Sequence, residues 1–170
     1  MILIGLGSNI IGPWGTPRET VSRAIEMLGH KPLKLVTSSA LIETTPLGKV
    51  DQPPYINAVA RIKTRLQPLD LLATLREIER HAGRERRERW GARTLDLDIL
   101  DYDGLVLEPK ASQSSDAVLV LPHPSISERE FVLAPIAELA PRWRHPVSGA
   151  SAREMLMQLV PGNDGRIIKP

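Results

Sequence analysis

Residues 94–102 read Thr94-Leu95-Asp96-Leu97-Asp98-Ile99-Leu100-Asp101-Tyr102, a run in which apolar and acidic side chains alternate. Such alternation marks a strand with one face in a core. Residues two apart on a strand point the same way. Asp96 and Asp98 therefore share one face, while Leu95, Leu97 and Ile99 anchor the other. Upstream, Pro68 opens a helix with Leu71, Leu72, Leu75, Ile78 and Ala82 on its apolar side and Gly83 closing it. Before it, Tyr55–Leu66 alternates, with Ile56, Ala58, Ala60, Ile62 and Thr64 on one face. Residues Lys34–Thr44, rich in Val, Thr, Ile and Leu, supply the other strand of that pair. Thr16-Pro17-Arg18-Glu19 carries an N-cap, a first-turn proline and a capping-box glutamate. Val21, Ala24, Ile25 and Leu28 then recur at helical spacing before Gly29. Met1–Leu6 is a short apolar strand.

The order is β-α-β-β-α-β, which predicts a ferredoxin-like α+β fold with helices packed on one face of an antiparallel sheet. Residues 108–118 read as an exposed loop insertion. Leu133–Leu139 and Ala152–Leu159 read as short C-terminal helices, and the residues after Gly162 as a loose or edge-packed tail. The whole, 1–170, is expected to be one domain.

Composition narrows the function classes. Hydrophobic residues make up 42% and charged residues 25%, ordinary for a soluble domain. Cysteine is absent, which removes disulfides, thiolate metal sites and cysteine nucleophiles. The first apolar run is too short and lacks the basic flank of a signal peptide, and no run of about 18 apolar residues occurs. A cytoplasmic protein without membrane attachment is expected. A net charge of +2 is too small to suggest general polyanion binding. Aromatics are only 4%, so an aromatic among polar residues is informative.

Two features carry chemistry. Asp96 and Asp98 place two carboxylates side by side, which repel unless a cation lies between them. Oxygen donors of this kind suit Mg²⁺, which binds through one or two carboxylates plus substrate phosphates. Salt bridges to neighbouring arginines, or a solvated polar face, are the alternative. Immediately upstream, Arg84, Arg86, Arg87, Arg89 and Arg93 crowd together around Trp90. Planar guanidinium forks suit phosphate. Glu85 and Glu88 within the run would equally fit a solvated loop. Tyr55, Asn57, Phe131, His123 and Arg129 are ambiguous taken singly. No P-loop, no complete dinucleotide fingerprint, no zinc-like histidine spacing and no nucleophile elbow occurs. An RNA-recognition module shares this topology, but it needs exposed aromatics on its central strands where this chain offers carboxylates. A nucleotide-binding regulatory domain without turnover is a further alternative.

Together these stretches resemble the 6-hydroxymethyl-7,8-dihydropterin pyrophosphokinase family of folate biosynthesis. The similarity runs through Gly5-Leu6-Gly7-Ser8-Asn9, Thr45-Pro46-Leu47-Gly48, Asp51-Gln52-Pro53 and Tyr55-Ile56-Asn57-Ala58. It continues in Arg89-Trp90-Gly91-Ala92-Arg93-Thr94-Leu95-Asp96-Leu97-Asp98-Ile99, Leu121-Pro122-His123, Glu128-Arg129 and Phe131-Val132-Leu133. Ala92 stands where many members have proline.

The resemblance implies an enzyme that moves pyrophosphate from ATP to a pterin alcohol, releasing AMP. It implies that Asp96 and Asp98 hold two Mg²⁺ ions, and that Arg84 and Arg93 bind phosphate and act in catalysis. It assigns Thr44, Pro46, Leu47, Gly48, Tyr55, Asn57 and Phe131 to the pterin, with Tyr55 and Phe131 on its two faces. It assigns Glu79, Arg89, Trp90, Ile99, His123 and Arg129 to ATP, and suggests a monomer with no nucleic-acid partner.

Residues 84–90 carry many charges and almost no apolar anchor, so little in the sequence holds them without ligand. They are expected to be mobile in the free protein and to order over nucleotide, magnesium and pterin. Hydrogen exchange across residues 83–93 checks this: protection should appear on adding a non-hydrolysable ATP analogue with pterin. Strong protection already present without ligand, and unchanged by it, would contradict the expectation.

Overall fold

The computed structural model describes residues 1–46, 51–84, 92–108, 119–159 and 165–169. Among these residues six strands form one antiparallel sheet: β1 (Ile2–Ser8), β2 (Leu33–Ser38), β3 (Ile42–Thr44), β4 (Tyr55–Thr64), β5 (Asp96–Tyr102) and β6 (Ile167–Lys169). The order runs β5-β1-β4-β3-β6, with β2 also paired to β4. Among the described residues three α-helices pack on it, α1 (Pro17–Met27), α2 (Pro68–His81) and α3 (Glu130–Leu139), and a fourth, α4 (Ala152–Gln158), packs against α3. The elements run β-α-β-β-β-α-β, the order read from the sequence with one strand divided in two. Among the described residues no helix is long and apolar enough to cross a membrane.

Local chemistry explains the helix ends. Thr16 Oγ1 accepts from the Glu19 N–H (3.3 Å), and Glu19 Oε2 accepts from the Thr16 N–H (2.7 Å). This is the expected capping box, a device that contributes about 1 kcal/mol. Gly83 closes α2 at φ +79°, and a Cβ there would lie 2.5 Å from Pro13 Cδ. Both facts require glycine.

Two expectations need correction. Residues 34–44 form two strands, not one. Ser39 interrupts them: its N–H donates to the Val59 carbonyl (2.9 Å), its hydroxyl accepts from the Val59 N–H (3.0 Å) and it donates to the Ala40 carbonyl (2.8 Å). A side chain that takes over ladder bonds ends regular pairing.

Helices also cover both faces of the sheet. On one face Ile2, Ile4, Leu6, Ile56, Ala58, Ala60, Ile62, Leu97 and Ile99 pack with residues of α1 and α2. On the other, Leu3, Val59 and Leu100 pack with α3, α4, Ile126 and Trp143. The latter core also seats a buried polar bond, Trp143 Nε1 donating to Asp101 Oδ2 (2.7 Å). Hydrogen bonds to charged groups contribute roughly 1.5–3 kcal/mol. This second layer covers only the Leu3–Val59–Leu100 end of its face and leaves the other end open.

Candidate active site

The open end is made by strand register. Gly7 of β1 lies opposite Asn57 of β4 on one side and Asp96 of β5 on the other, and Gly5 lies opposite Val59 and Asp98. Side chains alternate along each strand, so Leu3, Gly5 and Gly7 share a face, as do Val59, Asn57 and Tyr55, and Leu100, Asp98 and Asp96. Large residues fill the covered end. Toward the open end the central strand has only glycines between polar walls, and a hollow results. A Cβ at Gly7 would sit 2.9 Å from Asn57 Oδ1. The hollow has a volume of about 410 Å³, lined among others by Thr44, Thr45, Tyr55, Asn57, His123, Arg129 and Phe131.

A second hollow of about 360 Å³ opens beside it against α2, lined by Leu72, Arg76, Glu79, Arg80, Arg84 and Leu97. Arg93, Asp96 and Asp98 line both. The carboxylate pair thus stands on a shared wall.

Asp96 is the better compensated of the two. Arg93 pairs with its Oδ2, and Arg84 Nη1 lies 2.7 Å from its Oδ1. Arg84 also pairs with Glu79, which is buried on α2 and accepts from the Leu97 N–H (2.7 Å). Burial pushes the Glu79 carboxyl up, Arg84 opposing. The salt bridges that stood as the alternative to a metal are therefore present in the structure. Among the described residues Asp98 has no ion pair with an arginine or lysine: His123 Nε2 lies 3.8 Å from its Oδ2. Partial burial between the walls pushes its carboxyl up to about 7, though 39% of the side chain stays exposed; Asp96 adds to the rise, Arg129 and Arg93 oppose it, and Glu79 adds a little more. His123 is held down to about 4, chiefly by burial and then by Arg129. Its Nδ1 accepts from the Ser125 N–H (3.2 Å), which leaves the proton of the neutral ring on Nε2, toward Asp98.

Other sequence-predicted residues fall as follows. Asn57 is buried, and its amide nitrogen donates to Thr44 Oγ1 (2.8 Å). Arg129 adopts an extended backbone just before α3, and its guanidinium lies 5.8 Å from the Phe131 ring centre, so both face the first hollow. Pro46 is described but lines neither hollow. Ile99 lines neither as well, because its side chain is core; β5 is, however, an end strand of the sheet. Leu47, Gly48, Arg89 and Trp90 lie outside the described residues, as does most of the loop expected to close. Among the described residues no three His, Asp or Glu side chains converge as a metal cage. Two carboxylates beside phosphate-sized space still match the donor set magnesium uses.

Sequence reasoning missed several contributors. Asn9 is buried at the end of β1 and joins three segments. Its amide nitrogen donates to Gln52 Oε1 (3.1 Å) and the Pro53 carbonyl (3.3 Å). Its amide oxygen accepts from the Arg93 N–H (2.8 Å), and its own N–H donates to the Arg93 carbonyl (3.1 Å). The loop leading to Tyr55 is thereby tied to the residue that holds Asp96. Leu72, Arg76 and Arg80 of the second hollow were also unassigned. The Leu3-Gly5-Gly7 alternation was the readable signal of an empty floor.

The family model described as 7,8-dihydro-6-hydroxymethylpterin-pyrophosphokinase (HPPK) matches residues 3–141. The chain is similar to the 2-amino-4-hydroxy-6-hydroxymethyldihydropteridine pyrophosphokinases of Haemophilus influenzae and Methylorubrum extorquens. The first is 43% identical over 138 residues, covering 81% of this chain and 79% of that protein. The second is 40% identical over 165 residues, covering 96% of each. Among solved structures, wild-type Plasmodium falciparum HPPK-DHPS superposes with a TM-score of 0.69 at 16% identity, over 92% of this chain. This chain spans 43% of that longer one, and the likeness speaks for the fold alone.

The geometry around Asp98 gives a direct test. Carboxyl-carbon titration of the ligand-free protein should place its midpoint near 7. Asp96→Asn should lower that midpoint, because it removes a negative neighbour. A midpoint near 4 in the unaltered protein would show the carboxylate to be well solvated.

Proposed function

The chain belongs to the 7,8-dihydro-6-hydroxymethylpterin-pyrophosphokinase family, and from that premise we propose that the first hollow takes the pterin, the second takes ATP, and the carboxylates between them hold the magnesium. The reaction transfers pyrophosphate from ATP to 6-hydroxymethyl-7,8-dihydropterin in folate biosynthesis, giving AMP and the pterin diphosphate. The observation that carries the site assignment is the shared wall: Arg93, Asp96 and Asp98 border both spaces, as a bisubstrate transfer requires.

Tyr55 and Phe131 are the ring faces for the pterin, and Asn57, its amide set by Thr44, meets the ring edge; Pro46, Leu47 and Gly48 are given to the pterin by the family resemblance alone. Glu79, Arg89, Trp90 and the backbone of Ile99 serve the nucleotide. His123 and Arg129 border the first hollow near Asp98, where the transferred phosphates arrive. Two Mg²⁺ ions, when bound at Asp96 and Asp98, would neutralise polyphosphate charge and clamp the attacking and leaving oxygens.

Arg84 and Arg93 neutralise Asp96. As polyphosphate enters, their guanidiniums turn to its oxygens and free the carboxylate. The hydroxymethyl oxygen then attacks the β-phosphorus and gives up its proton to solvent, the bond to the α-phosphate oxygen breaks, and that electron pair leaves with AMP. Positioning and charge neutralisation supply the acceleration. The chain is read as one domain over 1–170, acting as a cytoplasmic monomer.

Release of AMP from ATP, with and without the hydroxymethyl pterin, tests this reading. Asp96→Ala or Asp98→Ala should abolish pterin-dependent release while the protein stays folded, since metal-ion stabilisation of the transition state is several kcal/mol. Full activity in Asp98→Ala, or undiminished activity in excess chelator, would contradict it.

A further inference from the structure

We propose that the C-terminal strand β6 is a positioning element of the pterin subsite, holding Thr44 and Thr45 in the geometry the ring edge meets; the inference rests on the assignment of the first hollow to the pterin.

Strand β3 has only three residues, and the last, Thr44, is buried at 1% exposure with its hydroxyl accepting from Asn57. Thr44 and Thr45 both line the first hollow. One edge of β3 pairs with β4, the other with β6, in the register Glu43 opposite Lys169 and Thr44 opposite Ile167. The pairing continues past the strand end. Thr45 N–H donates to the Arg166 carbonyl (3.0 Å), and Thr45 Oγ1 accepts from the Arg166 N–H (2.9 Å). Lys169 Nζ lies 3.8 Å from Glu43 Oε2.

Strand β6 buries little in return. Ile167 is half-buried, and Ile168 and Lys169 are exposed. None of the three belongs to either core cluster. Its weight therefore rests on the backbone ladder of β3, not on the hydrophobic core. A three-residue strand paired along one edge frays at little cost. Without β6 the segment carrying Thr44 and Thr45 has to be ordered by the ligand, and ligand affinity falls by that ordering cost. The nucleotide hollow has no residue on β3 or β6 and is spared.

The test compares the full chain with a variant lacking residues 165–170, with Thr45→Val and with Thr45→Ser. Dissociation constants for the hydroxymethyl dihydropterin and for a non-hydrolysable ATP analogue are measured alongside thermal unfolding. Removal of residues 165–170 should weaken the pterin about tenfold and leave the ATP analogue unchanged. Thr45→Val, which removes the acceptor for Arg166, should weaken the pterin roughly threefold, and Thr45→Ser should restore it. Unchanged pterin affinity in the shortened chain, or equal loss for both ligands, overturns the proposal. If the shortened chain fails to fold, Thr45→Val decides alone, and unchanged pterin affinity there overturns it as well. Tyr55→Ala and Phe131→Ala separate this from the reading beneath it. If they leave pterin affinity intact, the subsite assignment fails and the proposal with it. If they weaken the pterin and the β6 variants do not, only the bracing role fails.

Discussion

Two carboxylates two residues apart on a strand cannot both lie against a low-dielectric wall unless positive charge stands beside them. Strand β5 forces that condition. Leu97 and Ile99 are buried against the helices, so the alternation of the strand leaves Asp96 and Asp98 no other face to occupy. The surrounding polar residues answer this constraint. Arg84 and Arg93 close on Asp96, Glu79 anchors Arg84 and the backbone of Leu97, and among the described residues Asp98 is the less compensated member. The charge most in need of a cation thus faces both hollows.

The floor of the site follows from the same alternation in a neighbouring strand. Gly5 and Gly7 remove the side chains that would fill the middle of the sheet, and the second helical layer packs only at the Leu3–Val59–Leu100 end. Asn9, where β1 ends, then binds the loop before Tyr55 to Arg93. One short strand therefore sets the width of the hollow, its depth and the relation between its two walls.

Much of this was legible because it is local. The capping box at Thr16 and Glu19, the helical spacing of α2 and the alternation of β4 and β5 are each written within a dozen residues. The fold class and the carboxylate pair followed from them. What stayed hidden depends on partners distant in sequence. Ser39 splits the strand over 34–44 through bonds to Val59, which period alone does not reveal. The apolar residues of α3 and α4 announced helices without saying which face of the sheet they cover. Strand β6 is short, and two of its three residues are exposed, so its pairing with β3 left no pattern to read. Asn9 drew no role from the sequence because its partners lie more than forty positions away.

The central claim is that Asp96 and Asp98, on the wall between the two hollows, are where the divalent cation binds. Paramagnetic broadening by Mn²⁺, added with a non-hydrolysable ATP analogue, reports that position directly, because its effect falls steeply with distance. The amide signals of Gly5, Gly7, Asp96 and Asp98 should broaden first, and Asp96→Asn with Asp98→Asn should abolish the effect. Broadening centred elsewhere on the protein, or broadening that survives both substitutions, would contradict the account.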